Sequence, residues 1–114
     1  MSRGILPEDV RIYVASEPVD LRASFDRLAA FAKTVLKKNP IAGGLFVFRN
    51  REGHRAKALL WDRTGWLLVY KRLENGTFRF PVAQGGVVEI DAEQLRMLLD
   101  GIELGVAPRR KAAL

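Results

Sequence analysis

The sequence predicts an α+β domain, with an antiparallel β-meander sheet of about five to six strands, a long helix in the N-terminal half and a short C-terminal helix. Two observations support this. Apolar residues recur at helical spacing in two segments, and the chain between them alternates β-rich runs with glycine-containing turns. The length of 114 residues suits one domain. We expect it to span residues 1–105, followed by a flexible basic tail over 106–114.

The first strand and the first helix are predicted because the spacing of the apolar residues changes between them. Residues Val10–Ala15 alternate as a strand does, and apolar residues from Leu21 to Leu36 then follow one helical face. Asp20 is the expected N-cap of this helix. Asn39-Pro40 is expected to end it, because the residue before a proline disfavours helical backbone.

Turns divide the following segment into short predicted strands. These strands are Leu45–Arg49, Arg55–Asp62, Trp66–Glu74 and Thr77–Phe80. Asn75-Gly76 predicts a two-residue hairpin turn, which would place Arg72 opposite Arg79. If the preceding turn pairs Asp62 with Trp66, Lys57 lies opposite Lys71 on the other face of the sheet.

The C-terminal part predicts one more strand and one more helix. The strand is Val87–Ile90, and Asp91 follows it as the expected N-cap of the helix. Gln94 lies three residues later, which is the spacing of a capping box. Leucines at helical spacing beyond it give this helix an apolar face.

Positive charge is concentrated in the predicted meander. The net charge is +6, and residues 46–81 hold eight basic and three acidic residues. Such an excess favours a polyanionic partner, and nucleic acid is the expected one. Opposed arginines destabilise a sheet unless Glu74 on the same face or an outside anion, such as a phosphate backbone, screens them. The predicted DNA-contacting residues are Arg49, Arg51, Lys57, Lys71, Arg72 and Arg79, joined by Arg109, Arg110 and Lys111 of the tail.

Two other interpretations of these residues stay open at this stage. The lysines and arginines can instead be solvated strand charges that prevent aggregation at a sheet edge. The aromatic residues among them can stack on bases if they are exposed, although buried sheet aromatics are commoner. The sequence does not decide which face of the sheet is exposed.

Groups suited to catalysis or metal binding are scarce. The single histidine, His54, falls in a predicted turn, and there is no cysteine. Asp20, Asp26 and Asp62 are the best-placed carboxylates, but they lack partner histidines. We therefore expect no catalytic residue, metal or cofactor. Clustering of the three carboxylates would instead favour a small Mg²⁺-dependent nuclease or strand-transfer enzyme.

The cellular location is predicted from what the sequence lacks. The absence of cysteine suits a reducing compartment. No signal peptide is visible, and no apolar run approaches the roughly 20 residues of a membrane-spanning helix. We expect a cytoplasmic protein without membrane contact.

The order of residues resembles that of a known family of accessory proteins. The resemblance covers roughly residues 12–99 and lies in the runs Val19–Asp26, Gly44–Arg51, Trp61-Asp62 and Tyr70–Glu74, with Lys57, Gly65, Gly76, Phe78 and Pro81. The family is encoded by the second open reading frame of bacterial IS 66-type insertion sequences. The chain departs from its usual pattern at Leu21 to Ala23, where Met-Arg-Lys is common, at His54, where an acid is common, and at Phe80, where Trp is common.

The resemblance implies a protein required for transposition beside a separate, larger transposase that carries the strand-transfer carboxylates. The expected partners are DNA at the element ends and the element's transposase. An alternative is a protein-interaction adaptor that docks on the transposase without contacting DNA. The resemblance transfers no site residues, and the sequence leaves the oligomeric state open.

Overall fold

The computed structural model describes residues 9–81 and 86–101. The central element of the fold in these residues is a five-stranded sheet. Its strands are β1 (Ile12–Ala15), β2 (Leu45–Arg49), β3 (Arg55–Trp61), β4 (Trp66–Arg72) and β5 (Val87–Ile90), in the spatial order β4-β3-β2-β1-β5. The helices are α1 (Phe25–Thr34) and α2 (Ala92–Leu99), with a short 3-10 helix at Pro40–Ala42. The α+β class is confirmed.

The sheet is mixed, and the prediction of a purely antiparallel sheet was wrong. Strands β2, β3 and β4 do form an antiparallel meander, and β5 pairs antiparallel with β1. Strand β1, however, pairs parallel with β2. The reason is the helix between them, because a crossover through a helix returns the chain in its original direction.

Two separate cores lie on the two faces of the sheet. The face toward α1 buries Tyr13, Phe46, Phe48 and Leu59 against helix residues such as Leu28. The opposite face belongs to the core that contains the α2 leucines, and its members are Ile12, Val14, Leu45, Val47, Ala56, Leu60, Phe78, Ile90, Leu95 and Leu98. Since neighbouring residues of a strand point to opposite faces, both sets come from the same strands.

Helix α1 is shorter than the apolar spacing predicts, and Asp20 does not cap it. The helix has ten residues and begins after Ser24, whose side chain makes no capping hydrogen bond. Leu21 and Ala23 lie in the turn and loop that precede the helix, and their side chains are buried there. Their apolar side chains therefore reach the core without being part of a helix. At the other end Lys37 is left-handed, and the Lys38 N–H donates to the Ala32 carbonyl.

The predicted strand Thr77–Phe80 does not form. After the turn at Asn75-Gly76 the chain leaves β4, and the Phe78 N–H donates to the Gly53 carbonyl in the β2–β3 turn. Phe78 is 4% exposed and packs in the α2-side core. Burial of this ring beneath the sheet replaces the hairpin, so Arg72 does not pair with Arg79.

The register of β3 against β4 also differs from the sequence-based one. Trp61 pairs with Trp66, and a four-residue turn over 62–65 joins the strands, with Arg63 at a φ of 54°. Lys57 therefore pairs with Tyr70 and not with Lys71. The shift of one residue places Lys57 and Lys71 on opposite faces of the sheet.

The end of the described chain follows the sequence closely. Strand β5 has the predicted bounds, and Asp91 and Gln94 form the predicted capping box at the start of α2. The proposed domain limit at residue 105 and the basic tail, including Arg109, Arg110 and Lys111, lie outside the described residues. In the part of the chain that is described, no helix is long and apolar enough to cross a membrane.

The two helix caps give a matched stability test. Replacing Asp91 by Ala removes the hydrogen bond that its carboxylate accepts from the Gln94 N–H, at 2.7 Å, and should cost about 0.5–2 kcal/mol of unfolding free energy. Ser24→Ala removes no capping bond and should cost clearly less. Urea denaturation of both variants measures the difference, and equal losses would contradict the assignment of the two caps.

Candidate nucleic-acid interface

The basic residues singled out from the sequence do not form one row on the sheet. Lys57 is 8% exposed, and its ammonium donates to the Ala23 carbonyl at 2.8 Å. The same ammonium lies 4.9 Å from the centre of the Tyr70 ring. Lys57 thus joins the segment before α1 to the sheet, and its charge is occupied inside the molecule.

Arg49 is also held by internal contacts. One terminal nitrogen donates to the Ser16 carbonyl at 3.3 Å, and the guanidinium lies 5.7 Å from the centre of the Phe80 ring. Its Nε is buried without a hydrogen-bond partner among the described residues. Arg49 therefore packs the end of β2 against the segment that follows β4.

The other predicted contacts are exposed but differ in their surroundings. Lys71 donates to the Leu99 carbonyl at 2.7 Å. This carbonyl lies at the C-terminal end of α2, where the helix dipole attracts a positive charge. Arg72 pairs with Glu74 at 3.0 Å. Arg51 and Arg79 are exposed, and neither forms an ion pair within residues 9–81 and 86–101. The DNA contacts assigned to these residues stay a prediction.

An open groove of about 660 Å³ lies on the α1 side of the sheet, between the β2–β3 turn and the segment that precedes α1. Arginines enter it from three parts of the chain. Its lining includes Asp20, Arg22, Asn50, Arg51, Glu52, His54, Arg55 and Tyr70. We call this surface the arginine groove.

A hydrogen-bond network built on Asn50 shapes one wall of the arginine groove. The Asn50 side-chain oxygen accepts from the Gly53 and Arg55 N–H groups, at 2.9 and 3.0 Å, which fixes the orientation of the amide. The amide nitrogen then faces His54 Nδ1 at 3.2 Å, while Arg55 Nε faces His54 Nε2 at 3.3 Å. A neutral imidazole has only one acceptor nitrogen, so when Nε2 accepts from Arg55, Nδ1 cannot also accept from the Asn50 amide.

Arg55 is therefore positioned without being neutralised. A terminal nitrogen of its guanidinium donates to the Tyr70 hydroxyl at 2.9 Å. No carboxylate of the described residues forms an ion pair with it. The result is a full positive charge, held in place by a histidine and a tyrosine, at the wall of an open groove.

Arg55 directly faces a second arginine across the sheet. Arg55 of β3 pairs with Arg72 of β4. The neighbouring pair is hydrogen-bonded, because the Leu73 N–H donates to the His54 carbonyl. Ladders alternate, so Arg55 and Arg72 are a non-hydrogen-bonded pair, in which side chains approach most closely. Two like charges in this position repel each other, but Glu74 screens Arg72 through their ion pair at 3.0 Å. Arg55 is the member of the pair that no carboxylate of the described residues neutralises.

Asp20 and Arg22 form the opposite wall of the arginine groove. The Asp20 carboxylate accepts from the Arg22 N–H and from the Arg22 guanidinium, with the shortest bond at 2.6 Å. These hydrogen bonds hold the pKa of Asp20 well below its usual range. Asp20 thus shapes a turn before α1 and carries a persistent negative charge, which neutralises Arg22.

The carboxylates considered for metal binding are not brought together as a set. Asp20 is engaged with Arg22, Asp26 lies in the first turn of α1, and Asp62 lies in the turn between β3 and β4. Within the described ranges, no three His, Cys, Asp or Glu side chains are grouped to hold a metal ion.

Sequence reasoning missed Arg22, Arg55 and Tyr70 as members of one surface. Tyr70 is 50% exposed, although aromatic residues of a sheet are usually buried. A usable signal was the alternation of Tyr70 and Arg72, since residues two apart in a strand share a face. Arg55 could be added only through the register of β3 against β4, which the sequence did not determine.

A comparison with protein families decides which group of proteins the chain resembles. The family model described as "IS66 Orf2 like protein" matches residues 10–109. The chain belongs to this family. The match confirms the resemblance found in the sequence and supports an accessory role associated with transposition of an IS 66-type insertion sequence.

Two relatives of this IS66 Orf2-like chain come from Sinorhizobium fredii (strain NBRC 101917 / NGR234). "Uncharacterized protein y4hO" is 43% identical over 96 residues, which cover 84% of each chain. "Uncharacterized protein y4jC" is 35% identical over 102 residues, which cover 90% of this chain and 83% of the relative. No solved structure matches the chain.

The internal role of Lys57 predicts a loss of stability on its removal. Lys57→Ala deletes the donor to the Ala23 carbonyl and the packed stem, and should lower the unfolding free energy by about 1–3 kcal/mol. Lys33→Ala, on the exposed side of α1, should change it by less than about 0.5 kcal/mol. Chemical denaturation compares the two. Unchanged stability of Lys57→Ala would show that the ammonium is not a structural contact.

The Asp20–Arg22 pair predicts a pH dependence with a definite sign. Because the native pKa of Asp20 is depressed, its contribution to stability is fully present above the usual aspartate value of about 3.9. This stabilisation is lost as the pH falls from about 3.9, the pKa of an unfolded-chain aspartate, through the lower pKa of Asp20 in the folded protein. Carboxyl NMR titration should report the depressed pKa, and Arg22→Gln should return it toward the usual range. An Asp20 pKa that Arg22→Gln leaves unchanged would refute this cause.

Proposed function

We propose that this IS66 Orf2-like protein is a non-catalytic accessory protein that binds DNA through the arginine groove during transposition. The observation that carries the proposal is the opposed pair Arg55 and Arg72 beside the half-exposed Tyr70. Glu74 already pairs with Arg72, so an outside anion would bind mainly at Arg55, which has no carboxylate partner among the described residues. A DNA backbone supplies such anions at regular spacing.

The surroundings of the pair favour a phosphate backbone as the anion. Arg51 lines the arginine groove together with Arg55, is exposed and forms no ion pair with the described residues. Arg27 of α1 is close enough to contribute to the lowered pKa of Asp20. Cations thus reach this side from the β2–β3 turn, the sheet and α1. Arginine suits the task because its planar fork matches phosphate oxygens.

The proposed contacts differ from the set predicted from sequence alone. Arg51 and Arg72 are kept, and Arg55 is added with Tyr70 as a neighbouring stacking surface. Lys57 and Arg49 are assigned structural roles, because their charged groups contact the protein interior. Lys71 is assigned to the end of α2, with which it already forms a hydrogen bond.

A non-catalytic role is supported by how the carboxylates are used. Asp20, the acidic residue in the groove nearest to Arg22, is engaged in a bidentate ion pair. The strand-transfer chemistry would then belong to the element's transposase, with this protein acting on the same DNA ends.

The proposal is tested by salt-titrated binding to element-end DNA and to random duplex DNA. Neutralising two contacts in Arg51→Gln/Arg55→Gln should weaken binding, and it should flatten the salt slope by about 1.8 because each phosphate contact contributes about 0.9. Lys33→Gln/Arg63→Gln removes the same charge elsewhere. Arg63 follows the far end of β3, about 20 Å away at roughly 3.3 Å per residue, so this control should keep most of the slope.

Two results would contradict the proposal, provided that circular dichroism shows both variants to be folded. Equal salt slopes for the groove variant and the control would show that the groove does not contact phosphates. A salt-insensitive complex with the transposase, without DNA binding by the parent protein, would select the adaptor role.

A further inference from the structure

Strand β4 lies at an edge of the sheet, where no other strand of residues 9–81 and 86–101 pairs with it. It is the outermost strand on its side and is seven residues long, whereas the opposite edge strand β5 has four. Its central residues are apolar, and Val69 and Tyr70 are 49% and 50% exposed. The charged residues of β4 are Lys71 and Arg72, at its C-terminal end. Long apolar edges are templates for pairing with another strand.

The direction of each backbone group in β4 follows from two hydrogen bonds at the ends of its ladder with β3. The Leu73 N–H donates to the His54 carbonyl at 2.8 Å, and the Asp62 N–H donates to the Gly65 carbonyl at 2.7 Å. In both bonds the residue on the β4 side, Gly65 or Leu73, has an odd number, so the odd-numbered residues of β4 direct their backbone groups toward β3. Because antiparallel pairs alternate, the backbone groups of Trp66, Leu68, Tyr70 and Arg72 point away from β3.

We propose that a second copy of this chain pairs with that edge, β4 against β4 and antiparallel, with Val69 on the two-fold axis. In this register Trp66 pairs with Arg72 of the second copy, and Leu68 pairs with Tyr70 of the second copy. All four outward-facing residues then find hydrogen-bonding partners. A shift by two residues in either direction leaves one of them unpaired in each copy.

The charge distribution along β4 favours its own copy as the occupant. The strand is cationic at one end and aromatic at the other, so antiparallel self-pairing separates the two cationic ends. Arg72 is brought to the indole of Trp66, where a cation–aromatic contact is favourable. Lys71 faces Leu67, and the two Val69 side chains form a β-branched pair at the axis. The two exposed Val69 side chains cover each other.

The paired state joins two sheets into one with both α1 helices on the same side, because a two-fold axis through the edge preserves the faces. Each copy would then present its arginine groove on that common side. The pairing does not depend on DNA binding, since its contacts are made by β4 alone.

Cysteine cross-linking tests the register directly, because the natural chain contains no cysteine. Val69→Cys should form an intermolecular disulfide under mild oxidation, since a non-hydrogen-bonded pair at the axis has Cα atoms about 4.5 Å apart, within disulfide range. Leu67→Cys alone and Lys71→Cys alone should not cross-link, whereas an equimolar mixture of the two should. Cross-linking no stronger than that of an exposed control, Val35→Cys, would overturn the register.

Self-association in solution tests the pairing itself, by sedimentation over a wide concentration range without DNA. Val69→Lys places two ammonium groups across the axis and should raise the dimer dissociation constant by at least about tenfold. Leu68→Pro should do the same, because it removes an outward N–H that β3 does not use. Its side chain also packs against the α1-side core, so circular dichroism must first show that this variant is folded. Val35→Lys, at the end of α1 near Gly86 beside the other edge, should leave the constant unchanged.

Two outcomes would reject the pairing. The parent chain could remain a monomer at every concentration, in which case the edge is left to a different protein. Alternatively, Val35→Lys could weaken a dimer that Val69→Lys and Leu68→Pro leave intact, which would place the interface at the β5 edge.

Discussion

The pairing of Trp61 with Trp66 sets the register of β3 against β4, and the basic surface depends on it. The two indoles contact each other with ring centres 4.9 Å apart, at the start of a ladder that runs to Arg55 and Arg72. This register brings the two arginines opposite each other, places Tyr70 over Lys57, and turns Lys71 to the other face. A slip of one residue would reverse each of these relations.

The positive charge of the chain serves two purposes that composition cannot separate. Lys57 and Arg49 direct their charged groups to backbone carbonyls and aromatic rings, where they hold segments against the sheet. Arg51 and Arg55 keep their charge available at a groove. The first pair stabilises the surface on which the second pair is presented. Basic residues a few positions apart therefore differ in function because they differ in burial.

The bounds of helices and strands could be predicted where residues close together in the sequence determine them. The strands β2 and β5 and the capping box of α2 agree with the sequence, because glycine-rich turns and an Asp-x-x-Gln spacing act over a few residues. The predictions failed where packing overrides a local signal. Asn75-Gly76 is a strong hairpin signal, yet burial of Phe78 beneath the sheet diverts the chain from β4.

The candidate site was predictable only in part, for the same reason. Its positive charge, its location in the meander and the membership of Arg51 and Arg72 were predicted from the sequence. The inclusion of Arg55 and Tyr70 and the exclusion of Lys57 required the cross-strand register, which joins residues far apart in the chain.

The sequence by itself determined a small basic α+β domain of the IS66 Orf2-like family, because composition, hydrophobic period and residue order are properties of the linear chain. The tertiary structure alone decided that β1 and β2 run parallel, that Lys57 is buried, and that the arginines gather on the α1 side. These features arise from competition among distant contacts for the same faces of one sheet, and only the folded chain resolves that competition.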